Sequence, residues 1–326
     1  MGALQRWYVR WTGLWRTTGW WNAANALSGV VRYTRYTGDD KYARVIGQTY
    51  RGAGRRHGGF VVRYFDDNAW WALAWLDAYD LTGDMRYLKA ARLIFENLTT
   101  AWDDDFGGVW WNTDRHYKNA ITNELFLSVA ARLHLAEPRN SRRYLDWALR
   151  DWEWFRRSGM IGPAGLVNDG LTSDRRNNGK PTYTYNQGVI LGGLGSLYEI
   201  TGDRGYLSEG EHIVDAVVRD LTSPADSQVP GVLVEPGEED MAATGRRGDR
   251  SQFKGIFVRN LHDFTRHVDR PDYQDFIRHN ADSIWRNTRN AQDQLGMRWT
   301  GPFDAADASR QSSALDALIA AAAAHQ

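Results

Sequence analysis

Cysteine is absent from all 326 residues, which rules out disulfides, a thiol nucleophile and cysteine metal ligands. The chain also lacks any run of 18 apolar residues, so no membrane-spanning helix is expected. Surplus charge is missing too, with 40 basic residues facing 40 acidic ones. Nucleic-acid binding draws on phosphate neutralisation by a basic excess, so that function class is set aside. The opening residues, MGALQRWYVRWTGLW, contain no apolar stretch ending in small residues, and no signal peptide is read there. The protein is then expected in the cytoplasm if residue 1 is its native start, and outside the cell if a leader has been removed. No HExxH, GxSxG or phosphate-cradling glycine loop occurs, and the eight histidines are scattered, His262 and His267 standing five apart. Neither a metal nor a cofactor is expected.

What the chain has in excess is aromatic: 16 tryptophans, 15 tyrosines and 11 phenylalanines. Tryptophan offers a flat apolar face with a hydrogen-bonding edge, which suits the C–H face of a sugar ring. A rich core is the plainer explanation. The two are separated by where the aromatics fall along the chain.

Three short segments are near copies: YTGDDKY (36–42), LTGDMRYL (81–88) and ITGDRGYL (200–207). LAEPRNSRRYL (135–145) and HVDRPDYQDF (267–276) are degenerate relatives. In the three copies Gly38, Gly83 and Gly202 end a helix in the left-handed conformation. Asp39, Asp84 and Asp203 then cap the next helix. Helices before these corners are apolar nearly all round, as in AWWALAWLDAYDL, and so are buried on every side. Helices after them are amphipathic, with Tyr87, Ala91, Ile94, Phe95 and Leu98 forming one stripe.

Inner helices begin near Asn22, Asn68, Asn119, Gln187, Gly255 and Ser309, and the segment near 3–11 supplies a sixth outer helix. This predicts an all-α fold, a closed (α/α)6 toroid of six inner and six outer helices, forming a single catalytic domain over 1–326. A helical solenoid is the alternative. The interval between corner tyrosines grows from 45 residues (Tyr42 to Tyr87) to 67 (Tyr206 to Tyr273), whereas a solenoid keeps its period. The extra residues lie in long loops at 101–118, 158–186 and 220–253, and loops of that length are usually functional. In such a ring all inner-helix N-termini share one face. The segments that open them mix amide, charged, hydroxyl and aromatic groups, as a polyol-binding cleft requires.

Asp66 and Asp67 open one of these helices within FDDNAWW. Acids at a helix start also occur for purely structural reasons, because the helix dipole stabilises them. Glycosidic hydrolysis, however, needs two carboxyl groups of opposite protonation, and neighbouring acids split their pKa values. A separation of about 5–5.5 Å belongs to retention and about 6.5–9.5 Å to inversion; neighbours on one turn favour the shorter range, though side-chain rotamers leave this open. Trp70 and Trp71 follow as desolvating walls. In AWDDDFGGVWWN, Asp103 to Asp105 read as a solvated acidic loop, and Trp110 and Trp111 as cleft walls. Asp169 sits in the loop GLVNDGL, where a turn aspartate is the plainer role. Glu235, Glu238, Glu239 and Asp240 read as a surface loop. The glycines at 192, 193 and 195 read as sites of close helix packing.

YFDDNAWWALAWLDAYDLTGD, GGVWWN, YKNAITNELFL, TYNQGVILGGL and FKGIFVRNL, in this order, resemble glycoside hydrolase family 76, the endo-α-1,6-mannanases. The resemblance runs from GWWNAANAL to about residue 290. It implies an (α/α)6 toroid and retaining hydrolysis of α-1,6-mannan, with Asp66 as nucleophile and Asp67 as general acid/base. The chain departs from the pattern at Phe106, where cysteine is frequent among relatives, and in showing no leader. The expected partner is α-1,6-linked mannan or a manno-oligosaccharide, bound by a monomer. Candidates for sugar contact are Trp21, Asn25, Trp70, Trp71, Trp110, Trp111, Asn119, Asn123, Asp169, Tyr185, Asn186, Gln187, Lys254 and Arg259. Mannan transglycosylation is the near alternative. A sugar epimerase or isomerase on a similar ring and a non-catalytic mannan binder are the more distant ones.

Overall fold

The computed structural model describes residues 1–137, 141–245 and 247–323. They form two compact units, residues 60–216 and residues 1–59 with 217–326. In chain order the helices are α1 (Gly2–Gln5), α2 (Trp20–Thr37), α3 (Arg44–His57), α4 (Phe65–Thr82), α5 (Met85–Thr99), α6 (Ala120–Ala136) and α7 (Arg142–Phe155). There follow α8 (Thr184–Thr201), α9 (Gly205–Asp220), α10 (Glu238–Thr244), α11 (Phe253–Phe264), α12 (Pro271–Asn287) and α13 (Ala308–Ala323). Among the described residues, no helix is long and apolar enough to cross a membrane.

The corners form as their glycines dictate. Gly38, Gly83 and Gly202 take φ of 68°, 67° and 73°, a conformation glycine reaches without steric cost. Asp39, Asp84 and Asp203 then accept from the backbone N–H of Lys41, Arg86 and Gly205 at 3.0, 3.0 and 2.8 Å. The preceding threonine completes the device each time. Thr37, Thr82 and Thr201 donate to the carbonyl four residues back and accept from the N–H of the following aspartate at 3.2 Å. The degenerate corner at 135–145 has residues 138–140 outside the described residues.

In the 60–216 unit α6 is central, packing against α4, α5, α7 and α8. Its residues from Ala120 to Ala131 are all buried, the polar Thr122, Asn123, Glu124 and Ser128 among them. A Cβ on Gly193 of α8 would stand 2.7 Å from Leu127 of α6, so these two helices approach through glycine. On α5 the stripe Tyr87, Ala91, Ile94, Phe95 and Leu98 is buried, and the Tyr87 ring stacks on Trp75 at 5.4 Å. In the other unit α13 holds the equivalent position, against α2, α11 and α12.

The N-terminal segment is where the structure departs from the expected architecture. Only the four residues of α1 are helical there. A two-residue hairpin follows, β1 (Tyr8–Val9) with β2 (Leu14–Trp15), in place of an outer helix over 3–11. Gly13 turns the chain at φ 69°, and its N–H bonds to the Val9 carbonyl at 2.9 Å. The turn then lies directly on α3. A Cβ on Gly52 would stand 2.6 Å from the Gly13 nitrogen, so the contact is backbone on backbone.

Candidate active site

Helix α4 follows Tyr64, which is extended and makes no side-chain cap hydrogen bond. Its first turn holds Asp66 and Asp67, both half-buried, where the N-terminal end of the helix dipole favours negative charge. The Asp66 carboxylate accepts two hydrogen bonds. One comes from the Trp111 indole N–H to Oδ2 at 3.0 Å, the other from the Asp67 backbone N–H to Oδ1 at 3.0 Å. Trp111 reaches it because the loop 100–119 folds back onto the helix start. The Phe65 N–H bonds to the Trp111 carbonyl at 2.9 Å, and Tyr64 bridges Asn112. The Trp111 ring packs between Tyr64 (5.0 Å) and the edge of Tyr117 (6.1 Å). The Tyr117 hydroxyl in turn donates to Asp169 and accepts from Asn178 at 2.9 Å. Burial, and then the Asp169 charge, push the Tyr117 phenol far up, so it stays a donor. Asp66, Trp111, Tyr117 and Asp169 thus form one connected chain. Tyr117 is the link that sequence reasoning passed over, although it stands in the YKNAITNELFL block.

Trp110 is half-exposed, and its ring rests on the Lys118 ammonium at 4.0 Å. Lys118 is buried and donates to Asp103 and to the Gly107 carbonyl. Burial alone would raise the Asp103 carboxyl, but the Lys118 partner holds it below the ordinary range. Asp103 is therefore a structural ion pair under the loop, and not the solvated acid its neighbours Asp104 and Asp105 are. Glu235 and Glu238 correct the sequence reading in the same way. Both are buried, and Glu238 pairs with Lys254 at 2.6 Å.

Several residues read as sugar contacts are interior. Trp71 is 0% exposed, stacked on Trp75 at 5.5 Å and beside Phe60 at 5.1 Å, and Trp70 is 3% exposed. Helix α4 is enclosed all round, so neither indole offers a platform. Asn123 binds both backbone groups of Val109, accepting from its N–H at 2.6 Å and donating to its carbonyl at 3.2 Å. Gln187 does the same to Val167 at 2.7 and 2.7 Å, and Asn68 to Val62 at 2.7 and 3.0 Å. A primary amide presents the donor–acceptor pair of a peptide, so each of these side chains pins one loop residue as a neighbouring strand would. Asn119 accepts from the Thr122 hydroxyl and is buried, as is Asn186. Tyr185 is 9% exposed, its ring edge-on to Tyr183 at 6.2 Å.

In the other unit Arg259 is buried against Asp316 at 3.0 Å and donates to Asn25, itself 2% exposed. Lys254 is occupied by Glu238 and lies over the Trp299 ring at 4.7 Å. Trp21 is half-exposed, and its indole N–H donates to Asp249 at 3.1 Å. Of the sugar-contact candidates, Trp110, Trp111, Asp169 and Trp21 keep substantial accessible surface, alongside the acid pair.

The family model for glycosyl hydrolase family 76 matches residues 7–326. The mannan endo-1,6-alpha-mannosidase DCW1 of Saccharomyces cerevisiae is 29% identical over 206 residues, covering 56% of this chain and 45% of that relative. The chain thus spans about half the length of that curated relative. Among solved structures, the α-1,6-mannanase of Salegentibacter sp. HEL1_6 superposes with a TM-score of 0.84 at 26% identity, over 98% of this chain and 96% of that one. An inactive variant of it, with two consecutive aspartates changed to asparagine, has been solved with α-1,6-mannotriose. It superposes with a TM-score of 0.84 at 25% identity, over 98% of this chain and 96% of that one. The likeness over nearly the whole chain gives the all-α (α/α)6 class.

Proposed function

This chain belongs to glycosyl hydrolase family 76, and we propose that it is an endo-acting α-1,6-mannanase that works with net retention through a mannosyl-enzyme intermediate. The observation that carries the reading is the adjacent pair Asp66–Asp67 on the first turn of α4, with Asp66 fixed by two N–H donors. Two such bonds stabilise an ionised carboxylate and aim it, which is what a nucleophile requires. Asp67, whose backbone N–H supplies one of those bonds, takes the acid/base role. Asp66 attacks the anomeric carbon while Asp67 protonates the departing glycosidic oxygen; Asp67 then takes a proton from water as it hydrolyses the ester. The consecutive aspartates whose replacement leaves the Salegentibacter mannanase inactive support the same pairing. Trp110 and Trp111 offer their accessible aromatic surface to the sugar, and Asp169 a carboxylate to its hydroxyls. On this reading the whole chain acts as one catalytic domain.

Linear α-1,6-mannan incubated with the protein is expected to yield oligosaccharides of intermediate length first, with α-configured reducing ends seen by proton NMR before mutarotation. Early β-anomers would remove the retaining step, and an absence of new reducing ends would remove the hydrolase reading. A transglycosylase would instead pass the mannosyl unit to an added acceptor.

Trp111→Phe keeps the aromatic packing but deletes the donor to Asp66. Hydrogen bonds to charged groups contribute about 1.5–3 kcal/mol, so kcat is expected to fall roughly 10- to 150-fold. The melting temperature should hold. An unchanged kcat would show that the indole N–H does not orient the nucleophile.

A further inference from the structure

Charge is unevenly spread along this neutral chain. Residues 1–59 hold ten Lys/Arg and two Asp/Glu, and no acid precedes Asp39. Within this stretch the β1–β2 turn carries Trp11 at 77% exposure, the most exposed large apolar side chain among the described residues. Next to it opens a cavity of about 610 Å³, whose lining includes Trp11, Arg16, Thr18, Trp20, Arg56 and His57. That volume lies within the ~300–1,000 Å³ typical of small-ligand sites. It is bounded by the hairpin, the start of α2 and the end of α3, all in one compact unit. The Trp20 ring stacks 3.9 Å from the His57 ring, which fixes it as a wall. Burial, and then the Arg56 charge, lower the His57 pKa, so the positive charge here belongs to the arginines.

Those arginines pair with no carboxylate in the structure. Among the described residues, Arg10, Arg16, Arg51, Arg55 and Arg56 form no ion pair, while Arg32 in the same stretch pairs with Asp263 at 2.6 Å. Arg51 and Arg10 both lie close enough to act on the Tyr8 phenol, and Arg16 and Arg56 line the cavity itself. Like charges held together without counter-charges leave a standing demand for an anion. Tryptophan faces beside them suit the apolar C–H face of a hexose. A membrane surface would call for a patch of protruding apolar side chains, whereas Trp11 is the one large apolar side chain that protrudes among the described residues of 1–59.

We propose that this cavity is a second, non-catalytic glycan site that takes a mannan segment bearing phosphate, with Trp11 and Trp20 against the sugar and Arg16 and Arg56 on the phosphate. Guanidinium groups match phosphate oxygens in geometry as well as charge. That the sugar is mannose rests on the mannanase reading above; the preference for an anion does not.

Calorimetry on the full chain, with mannose 6-phosphate, mannose, inorganic phosphate and phosphatidylglycerol vesicles as probes, tests the site. Mannose 6-phosphate is expected to bind at least about tenfold tighter than mannose or phosphate, and to weaken steeply between 50 and 500 mM salt, as charge-driven contacts do. The double substitution Trp11→Ala and Arg56→Ala, at exposed positions, should cost at least about tenfold in that affinity while leaving mannotetraose hydrolysis and melting unchanged. Equal binding of mannose, equal binding of phosphate, binding of vesicles without mannose 6-phosphate, or indifference to the double substitution would each overturn the proposal. Wild-type protein that fails to hydrolyse mannotetraose would count against the mannanase reading alone.

Discussion

Asp66→Asn is expected to stop cleavage of α-1,6-mannotetraose, with kcat down by roughly 10⁴-fold or more, the scale seen when a covalent nucleophile is lost. It should do so on every mannoside, because no leaving group can substitute for an absent nucleophile. Asp67→Asn should divide substrates. Protonation of the leaving oxygen contributes roughly 10²–10⁴-fold, but only where the leaving group is a poor one. Mannotetraose needs that proton, and an activated aryl α-mannoside does not. The first step on the aryl substrate should therefore survive, and the mannosyl-enzyme ester should accumulate because nothing deprotonates water. Intact-mass measurement of Asp67→Asn with an activated mannoside would reveal an added mannosyl unit. Equal loss on both substrates with no adduct would remove the acid/base assignment. The Trp111 indole and the Asp67 backbone N–H both donate to the Asp66 carboxylate, as a nucleophile held ionised requires.

How much of this was legible before the coordinates depends on the range of the interaction. The TGD corners are local, and their glycine, aspartate and threonine act within five residues, so their geometry could be read directly. Helix burial was equally open, because α4, α6 and α8 carry apolar residues on every face, even though polar groups such as Glu124 interrupt them. Side-chain amides were not. Asn68, Asn123 and Gln187 stand at helix starts as sugar ligands would, yet each pins a valine 6, 14 or 20 residues upstream. No fixed spacing announces such a clamp. The pairing of Asp103 is hidden for the same reason, since its Lys118 partner lies 15 residues on. In the tryptophan pair of α4, side chains about 100° apart cannot both face a ligand, but only packing shows that neither does. At the N-terminus a backbone contact between Gly13 and Gly52 overrode a plausible helical pattern.

Stability should fall as pH rises from about 5 to 8, and the cause lies behind the active-site loop. Glu124 on α6 and Asp151 on the adjoining α7 are 0% exposed, and among the described residues neither carboxyl finds a hydrogen-bond partner. An unpaired carboxylate without water is prohibitively costly, so such groups keep their protons. Burial, then the neighbouring Asp151 carboxyl and the Asp169 charge, raise Glu124 well above its ordinary value, and burial raises Asp151. The sign follows from proton counting. Unfolded, the two groups titrate near 4.5 and 3.8; folded, they hold their protons beyond that. Their contribution is therefore full below those values and lost as pH climbs toward the folded pKa. Each group costs about 1.4 kcal/mol per pH unit while it alone stays protonated in the fold. Asp263, held low by Arg32, works in the opposite sense but only below about pH 4. Glu124→Gln with Asp151→Asn keeps shape and neutrality at every pH. The amides add a constant offset from their own unpaired N–H groups, yet the variant should gain on the wild type with each step from pH 5 to 8. Urea denaturation across that range measures the difference, and every other titrating group cancels in it. A gap that does not change with pH would mean that these carboxyls ionise inside the fold, with water or a cation beside them.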